Sequence, residues 1–297
     1  MSKQICRNGI LAILMFIFYS CTIQDKENAG KEGVATKFDL SDIDSGYFGK
    51  LVDTILNHSQ INFKLIEKLN IDFYYEQDSF FDKQIPTLIN ETFNSKQHCE
   101  NILGGRAITH KIRIIYFNSR EKLRPFLNMA PKGYALTEAY TLLIATNDSL
   151  RAYHTHELMH IISVSQFGGN AAQPKYWIQE GLSVFADNPC MNYSIHSISA
   201  NLLYSNKNAT FDSLFYQFRE LPDMEGYMQA GSVVQYFIEK YGMDKFKLLW
   251  QRGVGELTQI INISSKEFEK EYHEFLRESY EQKPEIDWGL LNEKGCG

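Results

Sequence analysis

The sequence has no block of basic residues, no C-x-x-C pair, no internal repeat and no long disordered tract. Each absence removes a class of function. Lys and Arg number 30 against 36 Asp and Glu, a net charge of −6, so nothing draws the chain to nucleic acid. The apolar run Ile10 to Phe18 is shorter than the about 20 residues a membrane-spanning helix requires. Of the five cysteines, Cys99, Cys190 and Cys296 lie beyond residue 21. Lacking C-x-x-C spacing, they read as structural or incidental. Being odd in number, at least one stays unpaired within the chain, and every pairing remains open.

What is present is enough apolar residue for a sizeable core. The chain has 297 residues, 44% of them hydrophobic, which suits one large domain or two lobes. Seventeen Tyr and 20 Phe fit a packed globular protein with a groove.

Residues 1–20 stand apart. Lys3 and Arg7 precede the Ile10 to Phe18 run, the pattern of a signal peptide. Its removal takes two positive charges and leaves 28 basic against 36 acidic residues, a charge near −8. Ser20-Cys21 then resembles the end of a bacterial lipoprotein signal, in which the Cys becomes the lipidated first residue, although Phe18 stands where that family more often has Leu. The plainer alternative is a Cys beside an ordinary cleavage site. The lipoprotein resemblance implies an exported protein anchored in a membrane through Cys21, on its periplasmic or cell-surface face. Residues 21–40 are polar and charged, and read as a flexible tether.

The rest, 41–297, divides by pattern. Asp42 to Leu69 carries apolar residues at helical spacing (Phe48, Leu51, Ile55, Ile61, Leu65, Leu69) and predicts one or two helices, broken near His58-Ser59. Strands are predicted at Ile71 to Tyr75, Lys111 to Phe117 and Thr137 to Thr146. Pro131-Lys132-Gly133 reads as a turn. Helices are predicted from about Thr87 to Ile102, from Asn118-Ser119 to Leu127, and from Leu150 to Gln166, the last opened by Asn147-Asp148-Ser149 and stopped by Gly168-Gly169. A helix starting near Glu180 ends before Pro189. Others follow at Met228 to Tyr241, Asp244 to Gln251 and Ser265 to Tyr280. Strands therefore fill the first half and helices the second. This predicts an α+β protein with an α/β lobe (about 41–168), a helical lobe (about 169–297) and a cleft between them.

The motif that organises the chain is His156-Glu157-Leu158-Met159-His160. A helix turns about 100° per residue, so side chains four apart stand on one face. His156 and His160 can offer two imidazole nitrogens to one zinc ion, with Glu157 placed to reach a water in the metal's open position. A catalytic zinc takes a third protein ligand. Trp177-Ile178-Gln179-Glu180-Gly181 supplies a carboxylate at Glu180, with nineteen residues between it and His160.

Together these segments resemble the gluzincin metallopeptidases, in their thermolysin-like, aminopeptidase-related branch. Members carry His-Glu-x-x-His on one helix and Trp-x-x-Glu-Gly opening the next. That branch usually has eighteen residues between the second His and the Glu, and strict counting would land here on Gln179. Aligning Trp177 and Gly181 gives Glu180, because one extra loop residue is cheap. The resemblance covers roughly Lys111 to Gly242. It implies one zinc ion held by His156, His160 and Glu180, Glu157 as general base, and hydrolysis of peptide or protein substrates. It also implies a small mixed β-sheet lobe whose antiparallel edge strand lines the cleft. Tyr140 to Thr146, just before the active-site helix, is matched to the strand that pairs with substrate.

Three further residues carry two readings each. Asp187, two helical turns after Glu180, is either a hydrogen-bond partner of a zinc-bound imidazole or a solvated residue at a frayed helix end. Tyr227 precedes a Gly at a helix start, where the aminopeptidase branch has a Tyr stabilising the transition state. Here that Gly, Gly231, stands one residue later, and a packing tyrosine is the alternative. Glu138, in Gly133-Tyr-Ala-Leu-Thr-Glu138, either binds an amine or faces solvent, and solvent is favoured. The Gly-x-Met-Glu-Asn strand of aminopeptidases is absent, so endo- or oligopeptidase action is favoured. His58, His98, His110, His154, His196 and His273 share no ligand spacing and are expected at polar surface or satisfied core positions. The rival from another class is a non-catalytic peptide- or glycan-binding lipoprotein of the same fold. A chance motif in a structural surface protein is the third reading.

Overall fold

The computed structural model describes residues 45–296. The predicted leader, Cys21 and the tether lie outside the described residues. Helix α1 (Ser45–Leu56) leads into a hairpin of β1 (Phe63–Lys68) and β2 (Ile71–Glu76). Helix α2 (Ser79–Ile102), strand β3 (Ile112–Phe117) and a one-turn helix α3 (Arg124–Leu127) follow, then β4 (Gly133–Leu136) and β5 (Thr141–Ala145). Every later described element is helical: α4 (His154–Phe167), α5 (Tyr176–Ala186), α6 (Ile195–Tyr204), α7 (Phe211–Tyr216), α8 (Asp223–Tyr241), α9 (Met243–Arg252), α10 (Leu257–Ile261), α11 (Ser265–Ser279) and α12 (Trp288–Lys294), apart from short 3-10 turns. The protein is a mixed α+β fold.

The five strands form one sheet in the order β1-β2-β3-β5-β4. β2, β3 and β5 run parallel in the middle, and the two edges, β1 and β4, are antiparallel to their neighbours. The central strands are buried on both faces, as their unbroken apolar runs require. Phe73, Ile114 and Leu142 lie side by side in register and join one core with Leu158 and Ile162 of α4, Trp177 and Leu182 of α5, and Phe237 of α8. The opposite face is closed by packing such as Phe117 against Phe63 and Phe126.

Four sequence expectations are corrected. Ile61 to Leu69 is not helical: it supplies β1 and its turn. The apolar spacing that suggested a helix falls on Leu65 and Leu69, which are 48% and 85% exposed, while the backbone pairs with β2. A few apolar residues four apart fit either period, and long-range pairing decided it. Second, the cleft edge is not Tyr140 to Thr146. β5 is interior, and β4, in the segment assigned partly to a turn, is the antiparallel edge strand. Third, α4 begins at His154 rather than Leu150. Asn147 closes a local turn, its side-chain oxygen accepting from the Ser149 amide at 2.9 Å, so its capping capacity is used before the helix starts. Fourth, α2 begins at Ser79, eight residues early, because Asp78 caps it by accepting from the Phe81 amide. The helices α6 and α7, in 195–216, lie outside the segments that the sequence pattern predicts as helical.

Candidate metal centre

Helix α4 presents His156 and His160 one turn apart, with Nε2 atoms 3.3 Å from each other. The other half of the site comes from α5, which packs along α8 at unusually close range. A Cβ on Gly181 would stand 2.7 Å from the Ala230 carbonyl oxygen, and one on Gly231 would stand 2.5 Å from Val184 Cγ1. Two facing glycines thus let the helices touch, and Trp177, 2% exposed and packed on Phe215, pins the first turn of α5. The result aims Glu180 at the histidines: its Oε2 lies 3.3 Å from His156 Nε2 and 3.6 Å from His160 Nε2. Gln179, the strict-count alternative, turns away and donates to Asn170 Oδ1 at 3.0 Å. α5 itself starts at Tyr176, one turn before the predicted start, so Glu180 sits inside the helix.

These three residues can hold a metal ion. A tetrahedral ion bound at about 2.0–2.1 Å has ligand atoms about 3.3–3.4 Å apart, close to the spacing of these three. Burial works against charging His156, but the Glu180 carboxylate, with Glu157 and Asp187 behind it, outweighs burial and raises its pKa to about 9. A metal therefore competes with a proton at that nitrogen. Glu180 is held far below the ordinary carboxylate range: burial opposes its charge, but His160 and His156 outweigh it.

Glu157 is buried beneath the edge strand, and burial raises its pKa against the pull of the two histidines. Its seat is set by β4: a Cβ on Gly133 would stand 2.5 Å from Glu157 Oε1. Tyr227, in the second turn of α8, packs on Phe218 and lines the same cavity as His156 and Glu157. The negative charge of Glu180, then burial, keeps its phenol protonated well beyond neutral pH, so it can act only as a neutral donor or acceptor. Asp187 caps the end of α5 but is not solvated. Its Oδ1 lies 2.6 Å from Arg151 Nη2, its side chain is 9% exposed, and no hydrogen bond joins it to an imidazole among the described residues. Glu138 is half-buried and partly open to solvent, accepting from Thr137 and from Asn170, the residue that Gln179 also holds.

None of the other histidines joins the ligand cluster. His154, on the back of α4, is buried against Tyr116, whose hydroxyl lies 2.7 Å from its Nε2 and 3.0 Å from Thr92 Oγ1. Cys190 and Cys296 form a disulfide, and Cys99 is buried and free.

The cavity beside the site measures about 320 Å³, and the disulfide forms part of its wall. Gly133, Lys132, Arg120 and Arg151 carried no signal of a role here. In the sequence Lys132 and Gly133 read as part of a turn, and Arg120 and Arg151 lie within predicted helices. Among the described residues no helix is long and apolar enough to cross a membrane. No family model matches this chain, and no curated protein matches it.

Proposed function

We propose that this chain is a zinc-dependent peptidase of gluzincin type with a thermolysin-like arrangement, acting on peptide or protein substrates. The observation that carries this is the convergence of His156, His160 and Glu180 at tetrahedral spacing with a buried carboxylate, Glu157, at the adjoining cavity. The donor set, two imidazoles and one carboxylate, is one used by catalytic zinc. Zinc held there would act as a Lewis acid and lower the pKa of a water in its open position to about 7.

The chain's own residues supply the rest. Glu157 takes a proton from the attacking water and later delivers it to the leaving amine. Burial, which raises its pKa, suits a group that must both accept and return a proton near neutral pH. Tyr227, neutral in the same cavity, donates to the oxygen on which negative charge develops. Among the described residues β4 is an edge strand of the sheet, and Gly133 lies directly over Glu157. An extended peptide added to this edge passes its backbone over the base. Export and a lipid anchor at Cys21 belong to the same proposal.

The test is metal content and turnover of the full chain purified in detergent without added metal or chelator. About one zinc per chain is expected in the native protein and in Gln179→Ala, and a sharp loss in Glu180→Ala. Glu157→Gln should keep the zinc and lose cleavage of a quenched-peptide library. No zinc even after reconstitution would end the metallopeptidase reading. Zinc with no turnover of any peptide would instead favour the non-catalytic binding protein.

A further inference from the structure

Beyond the peptidase reading, on which this inference rests, we propose that Arg120 and Lys132 form a carboxylate-binding subsite in the cavity beside Glu157, so that the bond cleaved lies next to an acidic side chain or a free C-terminal carboxylate.

Three basic residues gather around this cavity: Arg120 and Lys132 in its wall, and Arg151, whose side chain reaches Asp187 and Cys296 there. Arg151 is neutralised by Asp187 at 2.6 Å. Arg120 and Lys132 have no carboxylate partner among the described residues. Arg120 is anchored through Nε, which donates to the Ala130 carbonyl at 2.7 Å, and its two terminal amino groups have no protein partner among the described residues. Lys132 Nζ donates to Tyr153 Oη at 3.2 Å and to the Lys294 carbonyl. Those oxygens satisfy hydrogen bonds but supply no countercharge, and an ammonium has a third donor to give. Burial and the neighbouring Arg120 and Arg151 charges both lower the Lys132 pKa.

Like charges held together at a concave, partly buried surface are unfavourable for the free protein and favourable for an anion. An arginine with free terminal donors beside a lysine suits a carboxylate, which accepts from a planar fork and a point charge together. Position ties the pair to the chemistry. Lys132 immediately precedes Gly133, whose Cβ position abuts Glu157. A carboxylate bound at Lys132 is therefore within about one residue of the bond that Glu157 serves. Val184, Ile195 and Met228 line the same cavity and give the stem of such a side chain an apolar surface.

The experiment uses the full zinc-loaded chain and quenched peptides that differ at one residue flanking the cleavage point: Glu, Gln or Lys. A second arm compares free and amidated C-termini at fixed distance from that point, which separates the two sources of carboxylate. Binding is read separately, as fluorescence anisotropy of the same peptides on Glu157→Gln. The acidic peptide of one arm should be favoured by about tenfold or more in both kcat/KM and binding, less so at high salt. Arg120→Glu/Lys132→Glu should reverse the preference toward the Lys peptide. Equal handling of Glu, Gln and Lys peptides and of free and amidated ends would overturn the subsite. So would a double variant that kept the acidic preference. Charge-selective binding without cleavage by the wild-type chain would overturn the peptidase reading alone and leave the subsite in place.

Discussion

Gly133 on β4 and Glu157 on α4 are in mutual contact: a Cβ at residue 133 would stand 2.5 Å from Glu157 Oε1 and 2.7 Å from its Cγ. No real Cβ tolerates such a distance, so the glycine is what allows the carboxylate its place. Gly133→Ala is expected to displace Glu157 while leaving the ligands on α4 and α5 untouched. A misplacement of about 1 Å costs on the order of 10²-fold in rate. Zinc content should be unchanged and kcat/KM should fall by that order. An alanine variant with native kcat/KM would show that Glu157 does not depend on this seat.

The glycine contact between α5 and α8 has a reciprocal partner in Val184. Gly231→Ala forces a methyl group to within 2.5 Å of Val184 Cγ1. Overpacking of this kind costs about 1–3 kcal/mol. Pairing it with Val184→Ala removes the closest contact, at Cγ1, and leaves the residue 184 Cβ at 2.9 Å, so the double variant should be partly relieved and more stable than the sum of the single effects allows. Denaturant midpoints of the four proteins test this, and strict additivity would locate the strain elsewhere.

His154 gives stability a pH dependence. Burial, and secondarily the Arg151 charge, depress its pKa from 6.5 to about 3, and Glu91, 3.7 Å away and half exposed, does not offset this. Below pH 6.5 the unfolded chain takes up a proton at this residue, whereas the folded chain does so only near 3. Stability is therefore fully present above 6.5 and is lost as pH falls toward 3. His154→Gln should flatten that slope. Urea midpoints between pH 7 and 4, measured in a Glu180→Ala background so that metal release does not contribute, provide the check. Parallel slopes would move the acid sensitivity to another group.

The Cys190–Cys296 disulfide closes 106 residues of chain and ties the segment after α12 to the cavity wall. Cross-links of this kind contribute about 2–4 kcal/mol, chiefly by restricting the unfolded state. Cys190→Ser/Cys296→Ser should lower stability by about that amount in denaturant titrations. It should also raise protease sensitivity after residue 290 before the rest of the chain is cut. Unchanged stability would mean the tail is held by α12 packing and the Arg151 contact alone.

The sequence by itself determined the chemistry on offer. His156, Glu157 and His160 lie within one helical turn or so, and local periodicity alone places the two histidines on one face. The central strands were legible because burial on both faces writes itself as continuous apolar runs. The choice of Glu180 over Gln179 was legible only through its neighbours Trp177 and Gly181, and the structure gives their physical reasons, a buried anchor and a close helix contact. Tertiary structure alone decided the rest. Whether Leu65 lies on a helix or a strand depended on pairing with β2. Which strand forms the edge depended on β5 inserting between β3 and β4. The partner of Asp187 is Arg151, thirty-six residues away, and Arg120 and Lys132 share a cavity wall with a disulfide to the far end of the chain. Such relationships join residues with no common period or spacing, because they are fixed by how elements pack and not by how any one of them forms.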